Sequence, residues 1–245
     1  MLHLRNKIYG FFSYTCFSLA YCKFMDSMYD SIRHLPLFKG VTEDDITSFL
    51  EKTKIDVRNY VDGDVIIDYG EIVNRLGFVL SGNIIYIKTL CEGDIVVKVR
   101  LGSGVWLLPE LLFGMSHECR SHVESVGETS VLWLTKGKLW DLMNSNVLCS
   151  VNYINHLCYR AQCREENLNI VSEGEELKRF IEFICINGTE RRAASVEILF
   201  KEKKLADLLR ISEYELLSQI QNLINQNAIS YSKGIISVEN RRDYF

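Results

Sequence analysis

The chain has 245 residues, 47% of them hydrophobic and 24% charged, with 28 Lys and Arg against 32 Asp and Glu for a formal net charge of −4. That balance excludes a disordered chain and suits two modest domains, each able to bury a core of its own. With only two prolines and no Ser/Gly-rich tract, a loose tether is excluded as well, so the domains are joined by something structured.

The residue pattern speaks against an enzyme. His3, His34, His117, His122 and His156 are scattered, and there is no G-x-S-x-G, H-E-x-x-H or P-loop. The eight cysteines form no C-x-x-C pair and show no zinc spacing, which makes free thiols in a reducing cytosol the expectation. Cys119 is the candidate sensor thiol among them, because a neighbouring guanidinium such as Arg120 lowers a thiol pKa.

In chain order, residues 1–25 stand apart as an N-terminal extension. Arg5 and Lys7 precede an apolar stretch, Ile8 to Tyr21, in the manner of a signal peptide, but no A-x-A site follows. The stretch is also too short and too interrupted by Ser, Thr and Gly to span a membrane. An over-called start codon, or an extra helix packed on the next domain, accounts for it better than export, and a cytoplasmic protein is expected.

Residues 26–137 hold short β-branched runs, Val65 to Ile67, Ile84 to Ile87 and Ile95 to Val99. Turn signals at Asp62-Gly63-Asp64, Tyr69-Gly70-Glu71, Ser81-Gly82 and Glu92-Gly93-Asp94 separate them, which predicts a small antiparallel barrel of the jelly-roll kind. Further on, Pro109-Glu110-Leu111 is followed by the pair Arg120-Ser121. A guanidinium fork matches phosphate oxygens bidentately, and an ionised Glu accepts from hydroxyls without having to donate.

Residues 138–172 read as one long helix. Leu139, Leu142 and Met143 recur at helical spacing, and Val147, Val151, Ile154, Leu157, Cys158 and Ala161 continue the stripe toward Leu168 with no proline to stop it. Such a stripe wants a partner helix. Residues 173–245 then give a short helix from Glu175 to Ile186, a helix through Lys203 to Leu209, a turn at Arg210-Ile211, and a second helix opened by Ser212 with Glu215 three residues on as a capping box. Leu216, Ile220 and Leu223 share one face of it, and Ala228-Ile229 with Lys233 to Val238 predicts a small wing. The class is α+β.

In this order the signals resemble the Crp/Fnr family of bacterial regulators, from the barrel turns through Pro109-Glu110-Leu111 and Arg120-Ser121 to the Leu-Ala-Asp-Leu-Leu at 205–209 and the Asn227-Ala228-Ile229 of the last domain. The resemblance implies a cyclic-nucleotide-binding-like sensor barrel, a dimerisation helix and a winged helix-turn-helix. It places ligand contacts at Glu110, Leu111, Arg120 and Ser121, where the family's Gly-Glu-Leu gives a carboxylate to a ribose hydroxyl and its Arg and Ser or Thr hold a cyclic phosphate; Pro109 replaces the Gly. Arg164 and Glu165 stand where cyclic-AMP-binding members carry a Thr-Ser pair against the adenine, so Arg164 joins the ligand set. The implied effector is an anionic small molecule, and cyclic AMP is not expected. The alternative is an empty pocket across which Glu110 pairs with Arg120.

The implied partners are a second copy of the chain, operator duplex DNA and RNA polymerase, with no membrane. The dimer seam falls on Val147, Val151, Ile154, Leu157, Cys158, Ala161 and Leu168. Lys203, Lys204 and Lys233, with Lys201 and Arg210, are the phosphate candidates, and Ser212, Glu213, Tyr214, Leu217, Ser218 and Gln221 form the DNA-facing start and face of the recognition helix. The family's helix usually opens Ser-Arg-Glu-Thr-Val-Ser-Arg, whereas Glu213, Tyr214 and Ser218 hold the three base-reading places here, so the basic fork on guanine is not made from them. Eleven Lys and Arg against ten Asp and Glu over 176–245 are a weak electrostatic footprint for DNA. Two readings therefore stand: an effector-responsive transcription regulator that binds operator DNA as a dimer, or a ligand-binding or protein-interaction module whose degenerate helix-turn-helix no longer binds DNA.

Overall fold

The computed structural model describes residues 30–53, 56–168, 174–188 and 193–239, the side chains of 163–168, 186–188 and 193–194 excepted. The 1–25 extension and the side chains of Arg164, Glu165 and Leu168 lie outside the described residues.

After a short turn at Pro36–Phe38 that buries Leu37 and Phe38, helix α1 (Glu43–Lys52) opens on Thr42, whose hydroxyl accepts the Asp45 N–H. Three acidic residues in its first turn and Lys52 in its last complement the helix dipole. The sensor sheet follows as β1 (Asp56–Tyr60), β2 (Val65–Ile67), β3 (Arg75–Leu90), β4 (Ile95–Leu101), β5 (Trp106–Leu107) and β6 (His122–Thr135), with the short helix α2 (Pro109–Phe113) between the last two. Every pairing is antiparallel: β6 takes β1, β2 and β3, and β3 takes β4 and β5. This is the jelly-roll-like barrel that the turn spacing predicts.

Alternation along the strands divides the apolar side chains between two cores. Val131 and Trp133 of β6 lie in the barrel with Val79, Val97, Val99 and Leu107. Leu132 and Leu134 turn the other way, against Leu76, Phe78 and Trp106 and beneath the helices that follow.

Those helices correct one expectation. The run read as one helix from 138 is two, α3 (Lys136–Ser145) and α4 (Val147–Leu168), because Asn146 is extended at φ −138°, ψ 108°. Its side-chain oxygen accepts the N–H of Leu148 at 3.0 Å and of Cys149 at 3.4 Å, so it serves as the N-cap that restarts the helix. Apolar spacing carries across the break and so hides it.

The last domain comprises α5 (Glu176–Gly188), β7 (Ala193–Phe200), α6 (Glu202–Leu209), α7 (Glu213–Asn225), β8 (Ser230–Ser232) and β9 (Ile235–Glu239). Helix, turn, helix and wing stand where the sequence places them. Strand β7 is additional, and it pairs with β9 on one edge and with the sensor's β4 on the other. One sheet therefore runs β1-β6-β3-β4-β7-β9-β8 through both domains. Ile95, Val97 and Val99 face Phe200, Ile198 and Val196 across the join, and Lys98 faces Glu197. The barrel core continues beneath it to Leu205, Leu216, Ile220, Ile236 and Val238.

The β3–β6 ladder slips on either side of Ser81, and the slip depends on Gly82. Its φ is +86°, and an added Cβ would sit 2.3 Å from the Glu128 carbonyl oxygen and 2.7 Å from Thr129 Cα. Gly82→Ala is expected to destabilise the protein by about 1–3 kcal/mol, through both strain and collision with backbone that cannot yield. The shift of the urea midpoint at unchanged slope measures it.

Candidate effector cleft and nucleic-acid interface

Helix α2 begins at a strained point. Leu108 sits in the left-handed region at φ 50°, ψ 48°, and Pro109 follows at the first turn, where its missing N–H costs nothing. The reversal delivers Glu110 to α4, where its Oε1 accepts from Arg160 Nη2 at 3.0 Å with both side chains mostly buried. One and a half to two turns earlier on α4, the Tyr153 hydroxyl donates to the Pro109 carbonyl at 2.6 Å. Pro109, Glu110, Phe113, Gly114, Leu157, Arg160 and Ala161 together line an open cleft of about 370 Å³.

The other cassette residues stand away from it. Arg120 is exposed, Ser121 is half-buried on the approach to β6, and neither lines the cleft; Leu111 packs against the barrel core. Among the described residues Glu110 pairs with Arg160, and not with Arg120 as the empty-pocket alternative had it. Sequence reasoning missed Arg160, whose signal was a cation set between the apolar positions Leu157 and Ala161 of the joining helix. Tyr86 of β3 sits close to Arg160 and Glu110, and burial pushes its phenol well above the ordinary range.

Cys119 does not fit the sensor-thiol expectation. It is fully buried, its Sγ donates to the Ser121 carbonyl at 3.0 Å, and burial pushes its thiol up rather than down. Among the described residues, no cluster of His, Cys, Asp and Glu could hold a metal ion.

The outward face of α4 is apolar and uncovered. Val147, Val151, Ile154, Cys158 and Ala161 are exposed at alternating spacings of four and three, while Leu157 is half-buried at the cleft. That is a heptad row, and the backbone places Leu168 on it.

At the far end, α6 stops on Arg210, left-handed at φ 59°, ψ 38°. Ser212 then caps α7: its hydroxyl accepts the Glu215 N–H at 3.2 Å, while Glu215 Oε2 accepts the Ser212 N–H at 2.8 Å. The capping box is complete, and the bond from the Ser212 backbone holds the Glu215 carboxyl below its usual range. Leu216, Gln219, Ile220 and Leu223 face inward, so Glu213, Tyr214, Leu217, Ser218 and Gln221 are left exposed. Gln219, also missed from sequence, accepts the Leu177 N–H at 2.9 Å and donates to Glu176 at 2.6 Å, which ties α7 to the start of α5. Lys203 and Lys233 are exposed, Lys233 at the wing tip, where it and Gly234 share positive φ as a tight hairpin requires. Lys201 and Lys204 instead reach Asp94 of the sensor, at 2.5 and 3.3 Å.

No family model and no curated relative matches the chain. Solved structures do. The Thermus thermophilus catabolite activator protein superposes with a TM-score of 0.51 at 20% identity, over 84% of this chain and 94% of that one. The sensor domain of the transcriptional regulator DNR from Pseudomonas aeruginosa superposes with a TM-score of 0.50 at 13% identity, over 61% of this chain and 99% of that one. The chain therefore has the two-domain fold of the catabolite-activator type. The likeness is one of fold, an antiparallel jelly-roll-like barrel in front of a winged helix-turn-helix. No described helix is long and apolar enough to cross a membrane.

Beside Ser121, His122 donates from both ring nitrogens, Nδ1 to Asp68 and Nε2 to Glu124, each at 2.8 Å. Only the imidazolium can serve two carboxylates at once. Burial works against that charge, but the two acceptors outweigh it and raise His122 above 6.5, while the bond from His122 holds Asp68 below 3.8. The His122 contribution is full below its unfolded value and is lost as pH rises through the raised folded value. The Asp68 contribution runs the other way: it is present above 3.8 and lost as pH falls through the lowered folded value. Thermal stability should therefore fall as pH rises from about 6.5 through the raised His122 value. In His122→Gln that part of the fall should vanish, as melting curves across this range will register.

Proposed function

We propose that the chain is an effector-responsive transcription regulator that acts in the cytoplasm as a homodimer on operator DNA. The uncovered heptad row on α4 carries this reading, because it lies on the helix that also lines the Glu110–Arg160 cleft and leads toward the helix-turn-helix. An anionic small molecule in the cleft would compete with Glu110 for Arg160 and shift α4 between two positions. The two recognition helices of the dimer would change spacing with it. Cyclic AMP is not the expected effector. RNA polymerase is the downstream partner that such a role implies.

Duplex contact would come from Lys203, Lys204, Lys233 and the N-terminus of α7 at Ser212 on phosphates, and from Glu213, Tyr214, Leu217, Ser218 and Gln221 on base edges. The second reading, a module whose helix-turn-helix has left DNA behind, is favoured by the absence of Arg from α7. Selection from random duplex DNA, with and without small-molecule extract, separates the two. An enriched sequence supports the regulator, and no enrichment under either condition supports the module.

Ile154 is 57% exposed in the single chain, so a charge there has no reason to disturb the fold of one copy. The wild type should sediment as a dimer at micromolar concentration, and Ile154→Glu should sediment as a folded monomer. A monodisperse wild-type monomer would remove the seam. Arg160→Ala should abolish thermal stabilisation by an anionic effector found in the extract, whereas equal stabilisation of variant and wild type would place the ligand elsewhere.

A further inference from the structure

The β3–β4 hairpin of the sensor reaches the first turn of α6 and sets one carboxylate between two lysines. Lys201 Nζ lies 2.5 Å from Asp94 Oδ1, and Lys204 Nζ lies 3.3 Å from Asp94 Oδ2. The hairpin is locally strained beside them. Its tip runs through three successive left-handed residues, Cys91, Glu92 and Gly93 at φ 51°, 57° and 98°, two of which carry a Cβ that disfavours this region. Directly after Asp94, β4 enters the ladder with β7, starting at Ile95 opposite Phe200. Phe200 in turn donates its N–H to Gly234 of the wing at 2.9 Å and stacks on Tyr231, whose hydroxyl donates to Glu202 in the first turn of α6 at 2.8 Å. Asp94 thus meets Lys201 and Lys204 because the sheet holds both sides in register.

We propose that this hairpin is an intramolecular clamp: Asp94 stands in for a DNA phosphate on Lys201 and Lys204, so that the sensor withholds both lysines from duplex until the hairpin lets go. The clamp rests on the DNA-binding reading of the last domain. A carboxylate shared by two ammonium groups offers the charge and the acceptor oxygens that a phosphate would offer, so the two ligands exclude each other at this place. Both lysines keep substantial exposure, 75% and 49% for their side chains, so a phosphate can approach once Asp94 withdraws. Ion pairs at a surface are individually weak, which makes this one reversible. Lys203 lies between the two in sequence, is exposed and makes no ion pair among the described residues, so it is the cation that the clamp leaves out.

The test uses the full chain with a mixed-sequence duplex over a salt series, and in parallel reads lysine acylation by a small activated ester with peptide mass spectrometry. Asp94→Asn should tighten duplex binding by about three- to tenfold at low salt and steepen the slope of log affinity against log salt by about one to two, each freed lysine adding about 0.9. Adding Lys201→Ala and Lys204→Ala to that variant should return the slope to the wild-type value or below. Glu92→Gln removes the same charge from the same tip without a lysine contact, and should change binding far less. Acylation of Lys201 and Lys204, but not of Lys203, should rise severalfold in Asp94→Asn. Unchanged acylation of the two lysines overturns the clamp whatever the DNA does, and so does a Glu92→Gln effect equal to that of Asp94→Asn. Freed lysines with no duplex binding in any variant overturn the DNA-binding reading, and with it the phosphate-mimic role of Asp94.

Discussion

A strand from the last domain closes the free edge of the sensor sheet, and the pairing of β7 with β4 sets where every later element lies. An unpaired edge would expose a row of N–H and C=O groups and invite another chain to add to it. Here β7 satisfies that row with aliphatic pairs on the buried side, Val97 against Ile198 and Val99 against Val196. Its second edge takes β9, so the wing hangs from the barrel through two ladders. Helix α5 packs its Leu177 and Ile181 into the same core, and Gln219 pins α7 to α5. The direction in which α7 points is therefore fixed relative to the barrel by hydrogen bonds and burial.

The second link is α4, whose two sides have different duties. Its inner side is fastened to the sensor at several heights: Asn152 donates to the carbonyls of Leu37 and Lys39, Tyr153 to that of Pro109, and Arg160 to Glu110. Its outer side carries the exposed heptad row. A change in the cleft thus has a short route to the exposed row, since Ala161 borders the cleft and belongs to the row. Sheet and helix connect the same two domains in parallel, so moving one without straining the other requires that the β4–β7 ladder give way in part. A ladder opened from its Asp94 end loses the ion pairs first.

Much of this was legible in the sequence because it rests on local chemistry. The barrel strands follow from alternation and turn residues, and Ser212 with Glu215 announces the start of α7 by a reciprocal bond that needs only those two side chains. What was not legible depends on partners far along the chain. Asn146 breaks a helix whose apolar period runs on unbroken. Strand β7 alternates, with Val196, Ile198 and Phe200 inward, yet nothing within it says that its edge belongs to the sensor. Arg160 reads as one more polar residue on a long helix until Glu110, fifty residues away, is placed beside it. The motif residues Arg120 and Ser121 are conspicuous in the sequence, whereas the structure leaves them outside the cleft.

The same distinction bears on charge. Counting residues over the last domain treats each carboxylate as repulsive toward a polyanion and each lysine as free to attract one. Glu215 is committed to its own helix cap, Glu176 to Gln219 and Glu202 to Tyr231, so these groups are held in place by intramolecular donors. Lys201 and Lys204 are committed as well, to an acid from another domain that no count over 176–245 includes. Glu213, exposed at the opening of α7, is left as an acid facing the proposed DNA surface, with Lys203 and Lys233 as exposed cations. The field around the last domain is therefore set by which of these bonds are closed, and its near-zero net charge does not by itself describe that field. Because Lys201 and Lys204 are tied to Asp94 of the first domain, that field can change without altering a single exposed side chain of α7.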